Sequence, residues 1–407
     1  MLQILRLAAL AATLCWSTAL ASANVITDWD EKAVPVVPFG SEGERVMAMV
    51  HVAMFDAVNS IEPRCRPYLV QLPAPAGAST DAAAAAAAGT ILAGAPTMSP
   101  SAVAAMTAAM AAYLAAIPEG EEAKARGVRL GEAVARKILE ARAHDGATDP
   151  DTYRPKTKPG VYIPTPITAS STWPTLQPFA LKSPSQFRPK PPIDLTSPEY
   201  AADYNELKDY GGKSSGKRSP QQTETARFWL MVGPPAYHPL ARQIVAQKAM
   251  TVSDSARFMA LYSVALTDAY IAVFDAKYEY EFWRPITAIR NGDMTGNPAT
   301  AREASWQPLD NTPMHPEYPC AHCIESGAAT AVIEAVLGTA EIREIAMTSS
   351  TAPGVTHRWT RLDDFADEVA NSRIWAGFHY RFSTRVGTEM GRQIGRYVVE
   401  TVMRPAT

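Results

Sequence analysis

This sequence predicts an all-α fold with its helices packed as a bundle, and three observations predict it. A strongly periodic apolar stretch runs from Ser253 to Lys277. The C-terminal segment places Val386, Met390, Ile394, Val398 and Val402 four apart, along one helix face. Alanine-rich runs over Asp81–Ala93 and Ser99–Ala116 add the residue of highest helix propensity. No convincing run of alternating apolar and polar residues suggests a strand, so helix-on-helix packing is expected.

Taken in order, the chain opens with Arg6, an apolar run from Leu7 to Leu20 and the small residues Ala21-Ser22-Ala23. This reads as an export signal over residues 1–23, with the mature chain starting at Asn24 and destined for the periplasm or the exterior. Val46–Val58 is apolar almost throughout and reads as a buried helix, with His51 a hydrogen-bonded core histidine. Glu119–Ala143 follows as a charged amphipathic helix. Eleven of the 33 prolines fall between Pro155 and Pro198, which excludes regular helix there and predicts either a connector or a long loop covering a site. Gly211–Arg218 has the composition of a mobile tip. Helical pattern resumes over Gln221–Val232, Pro239–Met250 and Ser253–Lys277. After a second loop, Asn291–Pro319, it returns over Cys323–Leu337 and in the closing helix. Residues 24–407 read as a single domain, with a motif-bearing core at about 253–403.

With 407 residues and 47% hydrophobic content, the chain can bury a large core. A net charge of -3 excludes a general nucleic-acid binder, which needs surplus Lys and Arg to displace counterions. No stretch after the signal is long and charge-free enough to predict a transmembrane segment. Broad apolar helix faces are compatible with a homo-oligomer. Loss of the signal leaves Cys65, Cys320 and Cys323, so at least one thiol is free unless chains pair. Cys320 and Cys323 have C-x-x-C spacing but lack the βαβ context of a redox-active pair.

Three constellations carry chemistry. Lys277 and Arg284 are seven residues apart, two turns along one helix face, with Pro285 ending or kinking the helix; two cations there repel unless an anion lies between them. Pro316-Glu317-Tyr318-Pro319-Cys320-Ala321-His322 leads into a helix whose free N–H groups at Ala321 and His322 offer an oxyanion site, with His322 able to move a proton. In Ser372-Arg373-Ile374-Trp375-Ala376-Gly377-Phe378-His379, Gly377 permits a bend that lets Arg373 and His379 converge. One lysine, two arginines, two histidines and a helix N-terminus together suit a tetrahedral or trigonal oxyanion.

Lys277-x6-Arg284-Pro285, Pro319-Cys320-Ala321-His322 and Ser372-Arg373-x3-Gly377-x-His379 resemble the three-part signature of vanadium-dependent haloperoxidases and the type 2 phosphatidic acid phosphatase superfamily. The resemblance implies the all-α bundle of that type. It also implies that Lys277, Arg284 and Arg373, with Cys320 and Ala321 in the second motif, bind the oxygens of vanadate or phosphate. His379 would bind vanadium axially or attack phosphorus, and His322 would be the acid–base group. The expected function is vanadate-dependent oxidation of halide by hydrogen peroxide, with vanadate as cofactor. The alternatives are a secreted acid phosphatase acting on phosphate esters without a cofactor, and a non-catalytic oxyanion-binding protein. The chain departs from the family's Pro-Ser-Gly-His at Cys320 and Ala321. It also carries Ser383 where an acidic residue is common, so Asp364 or Asp367 is expected to orient His379.

Overall fold

The computed structural model describes residues 24–164 and 167–406; the expected export signal lies outside them, as does its Cys15. The first five helices are α1 (Val25–Ala33), α2 (Ser41–Ile61), α3 (Thr80–Gly94), α4 (Pro100–Ala116) and α5 (Glu121–Ala141). After a long proline-rich segment come α6 (Pro198–Gly211), α7 (Pro220–Phe228), α8 (Pro234–Gln247), α9 (Val252–Tyr280) and α10 (Pro285–Arg290). The chain closes with α11 (Ala321–Leu337), α12 (Leu362–Trp375) and α13 (Arg381–Thr401). Serine or threonine side chains cap α3, α4, α6, α7 and α9 by accepting a first-turn N–H. Three of these helices, α4, α6 and α7, then carry proline in the first turn, where its missing donor costs nothing.

Helix α9 joins the two halves. It packs against α2 on one side and against α11 and α13 on the other, and from Ser255 to Lys277 every residue except Arg257 is buried. By length and composition α9 could cross a membrane, yet here it is a core helix enclosed by protein. Helices α11 and α13 approach so closely that a Cβ at Gly391 would sit 2.0 Å from the Ile324 carbonyl oxygen. Helix α5 meets alanine-rich α3 in the same way at Gly131, 2.1 Å from the Ala83 oxygen. The alanines therefore serve close packing as well as helix propensity.

One element contradicts the reading of strand-free sequence. Between α11 and α12 the chain forms an antiparallel hairpin of β1 (Glu341–Ser349) and β2 (Ala352–Arg361). Its alternation is incomplete because only Ile345, Met347 and Ser349 of β1 are buried, while the outer residues are charged. That mixed pattern hides a strand from a period-two search.

The proline-rich segment is an ordered wrap along its described residues. Asp268 of α9 accepts the backbone N–H groups of Phe179, Ala180 and Leu181 at 2.7, 2.7 and 2.9 Å. Arg188 pairs with Asp275 at 2.8 Å, and the Tyr280 and Tyr318 hydroxyls donate to the Pro189 and Lys190 carbonyls. The Gly211–Arg218 tip is likewise held, because Arg218 donates to the carbonyls of Tyr210, Gly212 and Trp375. His51 is a hydrogen-bonded core histidine as expected, its Nε2 2.8 Å from Asp30, while its buried Nδ1 has no partner among the described residues.

Candidate active site

Lys277 stands in the last turn of α9, which ends at Tyr280 with Glu281 in the left-handed conformation. Arg284 is thus not on the same helix face, as the spacing had suggested; it is the residue before Pro285 that caps α10. The two cations still converge on the loop ahead of α11. The Lys277 ammonium donates to the Pro316 and Glu317 carbonyls at 2.9 and 2.8 Å. The Arg284 guanidinium donates to the His315 carbonyl at 2.8 Å, the Phe378 carbonyl at 3.1 Å and the His379 Nε2 at 3.2 Å.

Arg373 lies near the end of α12 and donates to the Trp229 carbonyl, with its guanidinium 4.9 Å above the Phe378 ring centre. After α12 the chain turns at Gly377, whose φ is +80° and where a Cβ would lie 2.5 Å from the Gly211 oxygen. Only glycine fits that turn, which delivers Phe378 and His379 back toward Arg373. The bend expected from the sequence is present.

Lys277, Arg284 and Arg373 are 0%, 1% and 2% exposed. All their hydrogen bonds are to carbonyls or imidazoles, none forms a carboxylate ion pair among the described residues, and the Arg373 Nε has no partner at all. Burial and mutual repulsion hold the Lys277 ammonium well below its ordinary range. Desolvation pulls both guanidiniums down to about 10. Buried cations of one sign are costly unless an anion joins them.

His379 has a single consistent proton assignment. Its Nδ1 donates to Glu317 Oε1 at 2.8 Å, and its Nε2 accepts from Arg284. Burial, then Arg284 and Lys277, hold the imidazole well below its usual range, so it is neutral with the Nε2 lone pair on the cationic side. Glu317 also accepts the Tyr380 N–H at 3.1 Å, and burial raises its carboxyl to about 7. The orienting group is therefore Glu317, not Asp364 or Asp367, which are exposed on α12. Ser383 does not take the role either, since its Oγ is buried without a hydrogen-bond partner.

The second motif needs another correction. Cys320 and Cys323 form a disulfide across the first turn of α11, and Cys320 Sγ caps the helix by accepting the Cys323 N–H at 3.2 Å. Cys320 therefore has no S–H to offer an oxyanion, and Cys65 is the free thiol among the described residues. Ala321 is the first residue of α11, and the next residue, His322, lies within the field of Arg373, Lys277 and Arg284. His322 donates Nε2 to the Met231 carbonyl at 3.0 Å, which leaves Nδ1 without a protein partner among the described residues. Burial and Arg373 hold it well below its ordinary range.

Sequence reasoning missed Glu317 and His315. His315 Nδ1 accepts from Arg284 at 2.9 Å, and its ring meets Phe274 edge-on. A carboxylate held between prolines five residues before His322 was the available signal for Glu317. A second candidate metal cluster, Asp30 with His51 and His238, has its donor atoms engaged with one another and with the Arg242 guanidinium, 2.6 Å from Asp30. A cation already fills that place.

Residues 257–407 match the family model of the VCPO second helical-bundle domain. Vanadium chloroperoxidase of Curvularia inaequalis is 33% identical over 141 residues; the match covers 28% of this chain and only 22% of that protein's length. The crystal structure of the first bacterial vanadium-dependent iodoperoxidase is similar over 94% of this chain and 96% of its own, with TM-score 0.79 and 23% identity. An apo-type bacterial vanadium-dependent chloroperoxidase gives TM-score 0.71 and 18% identity over 89% of this chain and 94% of its own. These two likenesses establish a shared fold. The segment that matches the family model, residues 257–407, holds all three motifs, and the chain as a whole shares the fold of these bacterial enzymes.

Proposed function

We propose that this protein is a vanadate-dependent haloperoxidase that oxidises halide with hydrogen peroxide. The observation that carries the reading is the set of three buried cations, none in a salt bridge with a carboxylate among the described residues, around a neutral histidine whose lone pair faces them. The residues fit vanadate. Lys277, Arg284, Arg373 with its unpartnered Nε, and the Ala321 N–H would hold its oxygens, and His379 Nε2 would be the ligand to vanadium. A metal-ligating histidine characteristically donates its other N–H to a carboxylate, as His379 does to Glu317. When bound, vanadate supplies Lewis-acid activation of peroxide.

The chain's own groups do the rest. The three cations offset anionic charge and strengthen as water is excluded. His322 Nδ1 is available to accept a proton from an incoming peroxide and to return one to the departing oxygen. Glu317 keeps the proton of His379 on Nδ1. We also propose export, from the N-terminal segment and from a Cys320–Cys323 disulfide that suits an oxidising compartment.

A phosphatase would use the same groups, with His379 Nε2 attacking phosphorus. The test compares purified protein loaded with orthovanadate, assayed for iodide and bromide oxidation by peroxide, against hydrolysis of an aryl phosphate from acidic to neutral pH. Halide oxidation that phosphate suppresses supports the proposal. Aryl phosphate turnover that vanadate only inhibits, without halide oxidation, would replace it with the phosphatase.

A further inference from the structure

Arg284 also forms part of the wall of a cavity of about 690 Å³ that opens to the surface. A halide or a peroxide needs only a narrow passage, whereas this volume lies in the range that houses small organic molecules. Its apolar wall comes from Tyr162, Ile163, Leu309 and Met314. Ile163 and Met314 are 40% and 46% exposed, so two of the six exposed large apolar side chains among the described residues meet at this one mouth. The proline-rich wrap puts them there: Tyr162 donates its N–H to the Glu281 carbonyl at 2.6 Å, and Ala169 donates to the Met314 carbonyl at 2.7 Å.

The charge on the same wall is one-sided. Lys213, Arg284 and Arg290 line it against a single acid, Asp310. Arg290 donates its Nε to the Trp306 carbonyl at 2.9 Å, and among the described residues neither Arg290 nor Lys213 has a carboxylate partner. Thr312 adds a hidden hydroxyl with no hydrogen-bond partner. An apolar surface beside unpaired cations recognises one chemical class, an organic body carrying one negative charge.

We propose that this mouth binds the organic acceptor of the reaction and selects an aryl body bearing a carboxylate or phenolate. The anionic group lies between Lys213 and Arg290, and the body lies against Tyr162, Ile163 and Met314. The acceptor's reactive carbon is then held next to the oxyanion site, where the hypohalous product transfers its halogen to that carbon, whose proton leaves with the hydroxyl as water. This role as acceptor site rests on the haloperoxidase reading.

The test is calorimetric titration of the vanadate-treated protein with 2-naphthoate and with its neutral isostere 2-naphthylmethanol. Naphthoate should bind about tenfold more tightly or better, weaken as salt rises, and lose about tenfold in K213E/R290E. Inorganic phosphate should not displace it. Equal affinity for acid and alcohol, salt-independent binding, or displacement by phosphate would each overturn the proposal; the last would put naphthoate in the oxyanion pocket. These readouts on the wild type stand even where the double variant fails to fold. Oxidation of iodide to triiodide needs no organic acceptor, so it tests the haloperoxidase reading separately.

Discussion

Glu317→Gln separates the axial bond from the general attraction of the pocket for anions. The carboxylate accepts the His379 Nδ1–H at 2.8 Å and the Tyr380 N–H at 3.1 Å. The variant keeps the shape but loses the charge, and its amide can present a donor to Nδ1. That donor moves the imidazole proton to Nε2 and removes the lone pair needed for an axial bond. Loss of such a partner typically lowers metal affinity about 10- to 100-fold, or roughly 1.4 to 2.8 kcal/mol.

An opposing effect follows from the lost negative charge. An anion about 7 Å beyond the carboxylate, across one imidazole, gains about 2 kcal/mol at an effective dielectric constant of about 20. Above pH 7, where the Glu317 carboxyl is ionised, phosphate should therefore bind more tightly to the variant. Vanadate should gain little or nothing, because the two effects nearly cancel. The ratio of vanadate to phosphate affinity, measured by calorimetry and vanadium NMR at pH 8, should fall about 10- to 100-fold. An unchanged ratio would refute the reasoning that Glu317 sets the His379 tautomer.

Three further outcomes follow from other parts of the structure. Asp268→Asn should destabilise the fold by about 2 to 4 kcal/mol in urea unfolding, since one carboxylate accepts three successive N–H groups of the wrap; a loss under about 0.5 kcal/mol would show that the wrap is held elsewhere. His379→Asn should change the pH dependence of stability. The folded imidazole is held well below its ordinary 6.5, so as pH falls through 6.5 the unfolded chain gains a proton that the folded one refuses and stability drops. Glu317 titrates in the opposite sense, its folded value of about 7 lying above the ordinary 4.5, and it is present in both proteins. Between pH 7.5 and 5.5 the wild type should lose roughly 1.4 kcal/mol more than the variant, and parallel pH profiles would argue against a neutral His379. Protein unfolded without reductant should be alkylated at Cys65 but not at Cys320 or Cys323 until it is reduced; modification of Cys320 before reduction would remove the disulfide from the account.

Most of the bundle was legible in the sequence because helical periodicity is a local property. The buried run of α9 and the fourfold spacing of α13 declared themselves, and the three motifs marked Lys277, Arg284, His322, Arg373 and His379. What escaped depends on contacts distant in the chain. The Glu317–His379 bond spans 62 residues, so no local spacing favours Glu317 over the nearer Asp364 and Asp367. Cys320 and Cys323 have a local spacing, yet the choice between thiols and a bridge depends on how the cap and first turn of α11 bring the two side chains together. The β1–β2 hairpin was missed because only Ile345, Met347, Ser349, Ala352 and Trp359 of its side chains are buried, too few for an alternation to stand out along both strands.

We propose that Lys277, Arg284, Arg373 and the neutral His379 form one oxyanion site in which His379 binds vanadium. A crystal structure of the protein grown with orthovanadate tests it most directly. One vanadate is expected, with its oxygens on the three cations and vanadium bonded to His379 Nε2. Vanadate bound away from these residues would contradict the site, and vanadate held there as a detached tetrahedron, with no bond to His379, would contradict the axial assignment.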